Sequence, residues 1–544
     1  MFIRLLIFSC TLWLISCNNK QTADLVIHHA VIYTVDSTFS QAEAMAVKDG
    51  KILAIGTNNA ILQSYQSDSM IDAKGKAIFP GFIDAHAHFV GYAGSLFQVN
   101  LFDSKSIDEI IQRLEAFTKE HPGKPYVIGS GWDQNKFPGK KFPDNKLLNQ
   151  LYPNIPVILE RVDGHACLAN QKALDMARVV PGQKINGGEI ITENGQLTGI
   201  LVDNATGLLS NIIPPPSNTE FETMLLAAQK NCFEQGLTTI TDCGLNYPIV
   251  DKIDSLQKAG KILMRLSILL SDNKENYDRY LPKGPYKSDL MSITGFKLFA
   301  DGALGSRGAC LLQPYADQPG WSGFLLSPIS HFDSIASILS KTKFQMCTHA
   351  IGDSANRVML TIYNKYLQGK NDRRWRIEHA QVINPADFAL FGKASIIPSV
   401  QPTHATSDMY WAEERLGPEW LKTAYANKQL LQQNGWIALG TDFPVEDISP
   451  FKTFLAAVFR QDAKGFPAGG FQPDNALTRE EAIRGMTIWA AKADFLENET
   501  GSLEKGKSAD FILLTNDLMK VDAKNVLTTK VIATYSRGKK VWGE

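Results

Sequence analysis

The chain is poor in cysteine, and none of what it has is spaced for pairing. Its 544 residues carry seven, at Cys10, Cys17, Cys167, Cys232, Cys243, Cys310 and Cys347, with no Cys-x-x-Cys. A thiolate metal cage and a disulfide framework are therefore not indicated, although one bridge in an oxidising compartment stays open. Long runs of one charge are also missing. Lys and Arg number 55 against 56 Asp and Glu, a formal net charge of -1. Nothing in that balance calls for nucleic acid or an anionic membrane surface as partner, which leaves a small molecule. With 41 Gly, 25 Pro, 44% hydrophobic and 20% charged residues, collagen-like and low-complexity classes are excluded. The length exceeds one ordinary domain and suits a large barrel with a satellite. No internal repeat exists beyond an alternation of strands and helices, and the oligomeric state, a homodimer included, is left open.

The N-terminal apolar core, Leu5-Leu6-Ile7-Phe8 continuing through Leu12-Trp13-Leu14-Ile15, follows Arg4. It is far shorter than the roughly 20 residues of a spanning helix, and its basic start suits a secretory signal. Its end, Leu14-Ile15-Ser16-Cys17 before Asn18-Asn19-Lys20, resembles a bacterial lipobox. That resemblance implies a signal over residues 1–17, lipidation of Cys17, and a tether over 18–23. The only membrane contact is then the lipid anchor, with the chain in the bacterial cell envelope facing the periplasm or the cell surface. An ordinary secretory signal that contains a cysteine is the alternative.

After the tether come short alternating strands, at Asp24–Ile27, Val31–Thr34, Ala44–Val47 and Lys51–Ile55, with Asp49-Gly50 as a hairpin turn. The C-terminus has the same character at Asp510–Leu514 and Val531–Tyr535. The spacing predicts one small β-sandwich made from both ends, residues 24–80 and 495–544. The middle, 81–494, alternates apolar strands with amphipathic helices, the pattern of an α/β fold whose sheet is parallel. Eight strands are expected to end near Asp84, Thr241, Ile268, Leu298, Thr348, Glu378, Val400 and Gly440. The expected fold is thus a (β/α)₈ barrel of the TIM type. A long insertion, about 90–236, follows its first strand and carries strands of its own at Tyr126–Ile128 and Val157–Leu159.

The chemistry gathers at the strand exits. His86 and His88 follow the first strand two residues apart, so both imidazoles project to one side. Lys297 closes the fourth strand, His349 the fifth, His379 the sixth, and Asp442 follows the eighth. In such barrels the carboxyl ends of the strands meet at one mouth, where the active site sits. A shared site for a divalent metal is the expectation, with zinc the ion such donors suit, as one or two ions. Three alternatives stay open. Lys297 can pair with Asp301 instead, His379 can be a core histidine held by Glu378, and His165 can be structural within a lid. Alternation predicts Glu378 on the barrel's other side, or as an orienter of a ligand. Gln401 and His404 after the seventh strand, His165 and Trp132 in the insertion are the candidate substrate contacts. Trp132, Phe137, Trp321 and Trp411 hint at apolar walls around the substrate.

Phe79-Pro80-Gly81-Phe82-Ile83-Asp84-Ala85-His86-Ala87-His88 resembles the opening motif of the amidohydrolase superfamily, and Gly501–Phe511 is similar to its closing turn. Lys297–Arg307, Gly131-Trp132-Asp133, Arg161–His165, Ile377–Ala380 and Thr441–Pro444 look like the branch called amidohydrolase family three, which includes N-substituted formamide deformylases. The resemblance implies His86 and His88 on one metal, with His349 and His379 on it or on a second. Lys297, carboxylated by carbon dioxide, would bridge, and Asp442 would move the proton between attacking water and leaving nitrogen. The implied reaction is hydrolysis of a non-peptide C–N bond in an amide, formamide or cyclic amide by metal-activated water. An isomerase or lyase on the same metal site, and a periplasmic binding lipoprotein without activity, are the competing readings.

Overall fold

The eight stretches read as barrel strands form one parallel sheet in the computed structural model, which describes residues 20–543. They are β1 (Phe82–Ala87), β2 (Leu237–Leu245), β3 (Arg265–Ser271), β4 (Met291–Phe299), β5 (Gln345–Ala350), β6 (Arg376–His379), β7 (Ile397–Val400) and β8 (Ala438–Leu439). Each pairs in parallel with the next in chain order. The chain folds as the expected (β/α)₈ barrel. Ile240, Leu266, Ile268, Phe296, Leu298 and Ile377 pack outward against helix residues such as Phe332, Leu360 and Leu430. The opposite set points inward and is polar. Arg376 lies 3.1 Å from Glu378 and 3.4 Å from Asp494, and Thr241 donates to Asp494 at 2.6 Å. Period-two alternation on the strands thus separates an apolar jacket from a hydrogen-bonded interior.

With only two residues in β8, closure falls to the loop beyond it. The Asp442 N–H donates to the His86 carbonyl, and the His88 N–H to the Phe443 carbonyl, both at 2.8 Å. Asp84 staples the same seam. Its carboxylate accepts from the Thr441 N–H at 3.0 Å, the Thr441 hydroxyl at 2.6 Å and the His86 N–H at 3.2 Å.

The insertion after β1 builds its own six-stranded sheet, from Val99–Asn100 to Gln196–Asp203. Its core holds Leu101, Ile110, Leu114, Val127, Val157 and Leu159. Helices Phe89–Ser95 and Asn218–Glu234, at the two ends of the expected insertion, put Phe89, Ala93, Phe221 and Leu225 into the barrel core instead. At the ends of the chain, Phe511–Leu514 pairs antiparallel with Ala77–Pro80, joining both termini in one sheet. A second sheet, containing Leu25–His28 and Ala44–Lys48, faces it across Ile27, Met45, Val47, Phe511 and Tyr535. The expected tether is shorter than 18–23. Gln21–Thr22 pairs with Tyr65–Gln66 and Ala23 is buried, because that strand edge offers backbone partners. Cys17 and the expected signal lie outside the described residues. Among the described residues, no helix is long and apolar enough to cross a membrane, and five cysteines are free thiols.

The seam sets the first test. A Cβ on Gly440 would meet the His86 nitrogen at 2.6 Å and both the His86 carbonyl and Asp84 Oδ1 at 2.8 Å. The His86 backbone and the hydrogen-bonded Asp84 carboxylate leave little room to yield. Gly440→Ala is expected to cost about 1–3 kcal/mol in equilibrium denaturation, as overpacking does. An unchanged unfolding midpoint would contradict the tight seam.

Candidate metal centre

His86 and His88 enter the mouth with their ring orientations already set. The His86 Nδ1–H donates to Glu378 Oε2 at 2.5 Å, and the His88 Nδ1–H donates to the Cys243 carbonyl at 3.0 Å. A carboxylate and a carbonyl only accept, so in each ring Nε2 keeps the lone pair. Those two Nε2 atoms lie 3.5 and 3.2 Å from Asp442 Oδ1. Asp442 Oδ2 faces the other way, 3.2 Å from His404 Nε2 and 4.0 Å from His379 Nδ1. Two groups of ligand atoms, each within 4.8 Å, result: His86, His88 and Asp442; and His379, His404 and Asp442. One carboxylate belongs to both.

Two residues reach the mouth through backbone rather than alternation. His379 has φ 71° and Asp442 φ 66°, in the left-handed region that side chains other than Gly seldom adopt. On a regular strand, residues 378 and 379 would face opposite sides. The turn at His379 brings its imidazole back inside beside Glu378, which corrects the expectation that Glu378 lies on the barrel's other side. Glu378 is fully buried in the interior and orients His86. Strain at such positions is held by the surrounding structure and concentrates at functional sites.

The electrostatics suit a cation. Burial, with the Lys297 charge beside it, pushes His86 down to about 4. Burial, and then the His379 imidazole for His349 and the His86 imidazole for His379, hold both well below the usual histidine value. Burial alone would raise Asp442, but the hydrogen bond from His404 and the imidazoles crowded around it hold it well below the carboxylate range. Neutral His86, His349 and His379 beside an ionised Asp442 are the protonation states a divalent ion requires, while His404, raised above the usual histidine value by Asp442 and Glu446, holds the carboxylate as a charged donor. Asp442 Oδ1 is buried and has no hydrogen-bond donor, while two imidazole lone pairs are aimed at it. That orphaned oxygen and mixed nitrogen–oxygen donor set fit an ion such as zinc.

Lys297 and His349 border both groups. Lys297 is buried, with Nζ 3.2 Å from His86 Nε2 and 4.8 Å above the Phe299 ring. It does not pair with Asp301, which corrects that alternative. The Asp301 carboxylate is occupied by the N–H groups of Cys310, Ile351 and Gly352 at 2.8, 3.0 and 2.8 Å. His349 gives its Nε2–H to the Gly302 carbonyl at 3.3 Å, leaving Nδ1 with the lone pair, and meets the His379 ring edge-on with centroids 4.6 Å apart.

The expected substrate contacts divide. His165 comes over from the insertion, its ring 4.9 Å from His349 and its Nδ1 2.7 Å from Asp203. His404 stands within one of the ligand groups, held between Asp442 and Glu446 at 3.2 Å each. Gln401 is buried, gives its amide N–H to the Ser399 carbonyl at 3.4 Å, and accepts from His379 Nδ1 at 2.8 Å. It orients a ring rather than facing open space. Trp132 is not a substrate contact. Its side chain is fully buried in the insertion core, with the indole N–H on the Leu159 carbonyl at 2.8 Å, and Phe137 packs in the same core. The roles of Glu446 and Asp203 as partners of His404 and His165, and of Asp84 as the brace of Thr441, escaped the sequence reading, because no spacing links a carboxylate to a partner distant in sequence.

The fold and this donor set together define a metal-binding hydrolase of the TIM-barrel type. Residues 69–542 match the model of the amidohydrolase family, and the chain belongs to that family, in the branch called amidohydrolase family three. It is similar to Protein LONG AFTER FAR-RED 3 of Arabidopsis thaliana, 32% identical over 96% of this chain and 92% of that protein. It is also similar to the N-substituted formamide deformylase of Arthrobacter pascens, 25% identical over 95% of this chain and 98% of the deformylase. Among solved structures, an uncharacterized metal-dependent hydrolase from Pyrococcus horikoshii OT3 superposes with a TM-score of 0.75, at 27% identity, covering 92% of this chain and 99% of that one.

Glu378 offers the sharpest probe of ring orientation. Glu378→Gln removes the carboxylate that fixes the His86 tautomer, and is expected to weaken zinc affinity about 10- to 100-fold while the chain stays folded. Competition with a chromophoric chelator measures it. Unaltered affinity would mean that His86 does not hold the ion.

Proposed function

We propose that the protein hydrolyses a non-peptide C–N bond in an amide, formamide or cyclic amide, with zinc as its ion. The single observation that carries this reading is the Asp442 carboxylate shared between the His86–His88 and His379–His404 sides. The similarity to an N-substituted formamide deformylase supports the choice of bond. Bound there, a divalent ion supplies a Lewis acid for a carbonyl oxygen and lowers the pKa of a bound water.

The chain's own residues do the rest. Asp442, ionised and buried, takes a proton from the attacking water and passes it to the departing nitrogen. His404, raised well above the ordinary histidine value by Asp442 and Glu446 despite its burial, stays cationic and keeps the carboxylate in place. Glu378 and the Cys243 carbonyl hold His86 and His88 in register. His165, fixed by Asp203, closes over the mouth and meets the substrate from the insertion side. Lys297, beside His86, would be a further ligand if its amine took up carbon dioxide and released a proton, and would then help hold a second ion. Lipidation of Cys17 and an envelope location rest on the pattern Leu14–Cys17 alone.

The test is a screen of N-formyl, N-acyl and cyclic amides with zinc-loaded protein, followed by Asp442→Asn. Turnover is expected to fall about 10²- to 10⁴-fold, the contribution of a positioned base. The mutant's zinc content is measured alongside, to separate proton transfer from loss of the ion. Near-normal turnover on the same substrate would remove Asp442 from the mechanism, and no hydrolysis of any C–N substrate would remove the bond class.

A further inference from the structure

A third group of ligand atoms lies outside the barrel, on the β-sandwich: His28, His29 and Asp72. Strands Leu25–His28 and Met70–Asp72 pair in parallel with His28 directly opposite Asp72, so one imidazole and the carboxylate come from neighbouring strand ends. The second imidazole comes from backbone geometry. Consecutive residues on a strand face opposite sides, but His29 has φ 53°, a left-handed conformation uncommon for a residue other than Gly. It turns the His29 ring onto the His28 side, with the ring centroids 4.5 Å apart. This is the device that turns His379 into the barrel mouth.

The three donor atoms then crowd one point. His29 Nδ1 lies 3.1 Å from His28 Nδ1 and 3.2 Å from Asp72 Oδ1. One ring nitrogen carries at most one proton, so it serves one of these neighbours well and the other poorly. Protonating both rings sets two N–H groups against each other. A cation bonded to all three atoms removes the conflict. Tetrahedral coordination with bonds of about 2.0–2.2 Å spaces adjacent ligand atoms by about 3.3–3.6 Å, close to the two contacts observed.

The frame is held without the ion. The His29 N–H donates to Asn58 Oδ1 at 2.7 Å, the His28 and His29 carbonyls accept from Ala73 and Gly75, and Asp72 Oδ1 accepts from the Lys74 N–H at 2.9 Å. The His29 and Asp72 side chains are about half exposed, at 53% and 45%, so an ion can enter directly from solvent.

We infer that His28, His29 and Asp72 form a second, surface site for a borderline transition-metal ion such as zinc. Two imidazoles and one carboxylate favour that class over calcium or magnesium, which take oxygen ligands. Three protein ligands leave a fourth position to water.

The test uses the full chain and zinc alone. Wild type, His29→Asn and Asp72→Asn are stripped with chelator and titrated, and bound zinc is counted by elemental analysis during equilibrium dialysis and again after desalting. Asn tolerates the left-handed backbone, so the first variant removes the imidazole without adding strain, and circular dichroism confirms the fold of both. Wild type is expected to hold about one equivalent more than either variant at dialysis equilibrium. The zinc that survives desalting, held by the buried barrel donors, should be equal in all three. Equal counts at equilibrium, or a difference confined to the tightly held zinc, would overturn the surface site.

Discussion

Everything at the barrel mouth hangs on one buried carboxylate. Asp442 presents Oδ1 to two imidazoles from the first strand and Oδ2 to two that follow the sixth and seventh. It can do so because the chain after β8 is bonded back to β1, through Asp442 N–H to His86 and His88 N–H to Phe443. The bonds that close the barrel are thus the bonds that place the carboxylate. Gly440 and Asp84 serve that same seam, the one by having no side chain and the other by accepting three hydrogen bonds. Closure and site geometry are one constraint.

Below the mouth, the interior holds charge that would be costly if left unpaired. Arg376 lies between Glu378 and Asp494, and Glu378 in turn grips His86. Burial and the His86 contact oppose each other on Glu378, and Arg376 with His86 hold it below the carboxylate range. The orientation of the first ligand is therefore anchored to the barrel floor. Gln401 does the same for His379 from the seventh strand, and the Cys243 carbonyl for His88 from the second. Three different strands fix three rings, which is how a barrel of short parallel strands gains precision at its open end.

The strands, their order and the residues at their exits were legible because period-two alternation and turn signals are local. His86, His88, Lys297, His349, His379 and Asp442 were read from their places at strand exits, and the structure brings them to one mouth. What escaped depends on single backbone angles or on distant partners. With His379 as the inward residue, Glu378 is expected on the far side; alternation in fact keeps Glu378 inside with Arg376, and the left-handed turn at His379 brings the imidazole in beside it. Trp132 looked like a pocket wall because an aromatic in the sequence reads the same whether it lines a pocket or a core. Packing against the insertion core decided it. Gln401 and His404 were read as substrate contacts by the strand-end rule, which marks the mouth but not whether a side chain faces substrate or a neighbouring ring. The tether shortened because the strand at Tyr65 offers an edge that no local pattern announces.

The measurement that bears most directly on this account is anomalous diffraction at the zinc edge from crystals of the zinc-loaded full chain. The account predicts a peak bonded to His86 and His88 and in contact with the Asp442 carboxylate. Loaded crystals with no peak at the mouth, and with His86 Nε2 and His88 Nε2 hydrogen-bonded to protein groups instead, would contradict it.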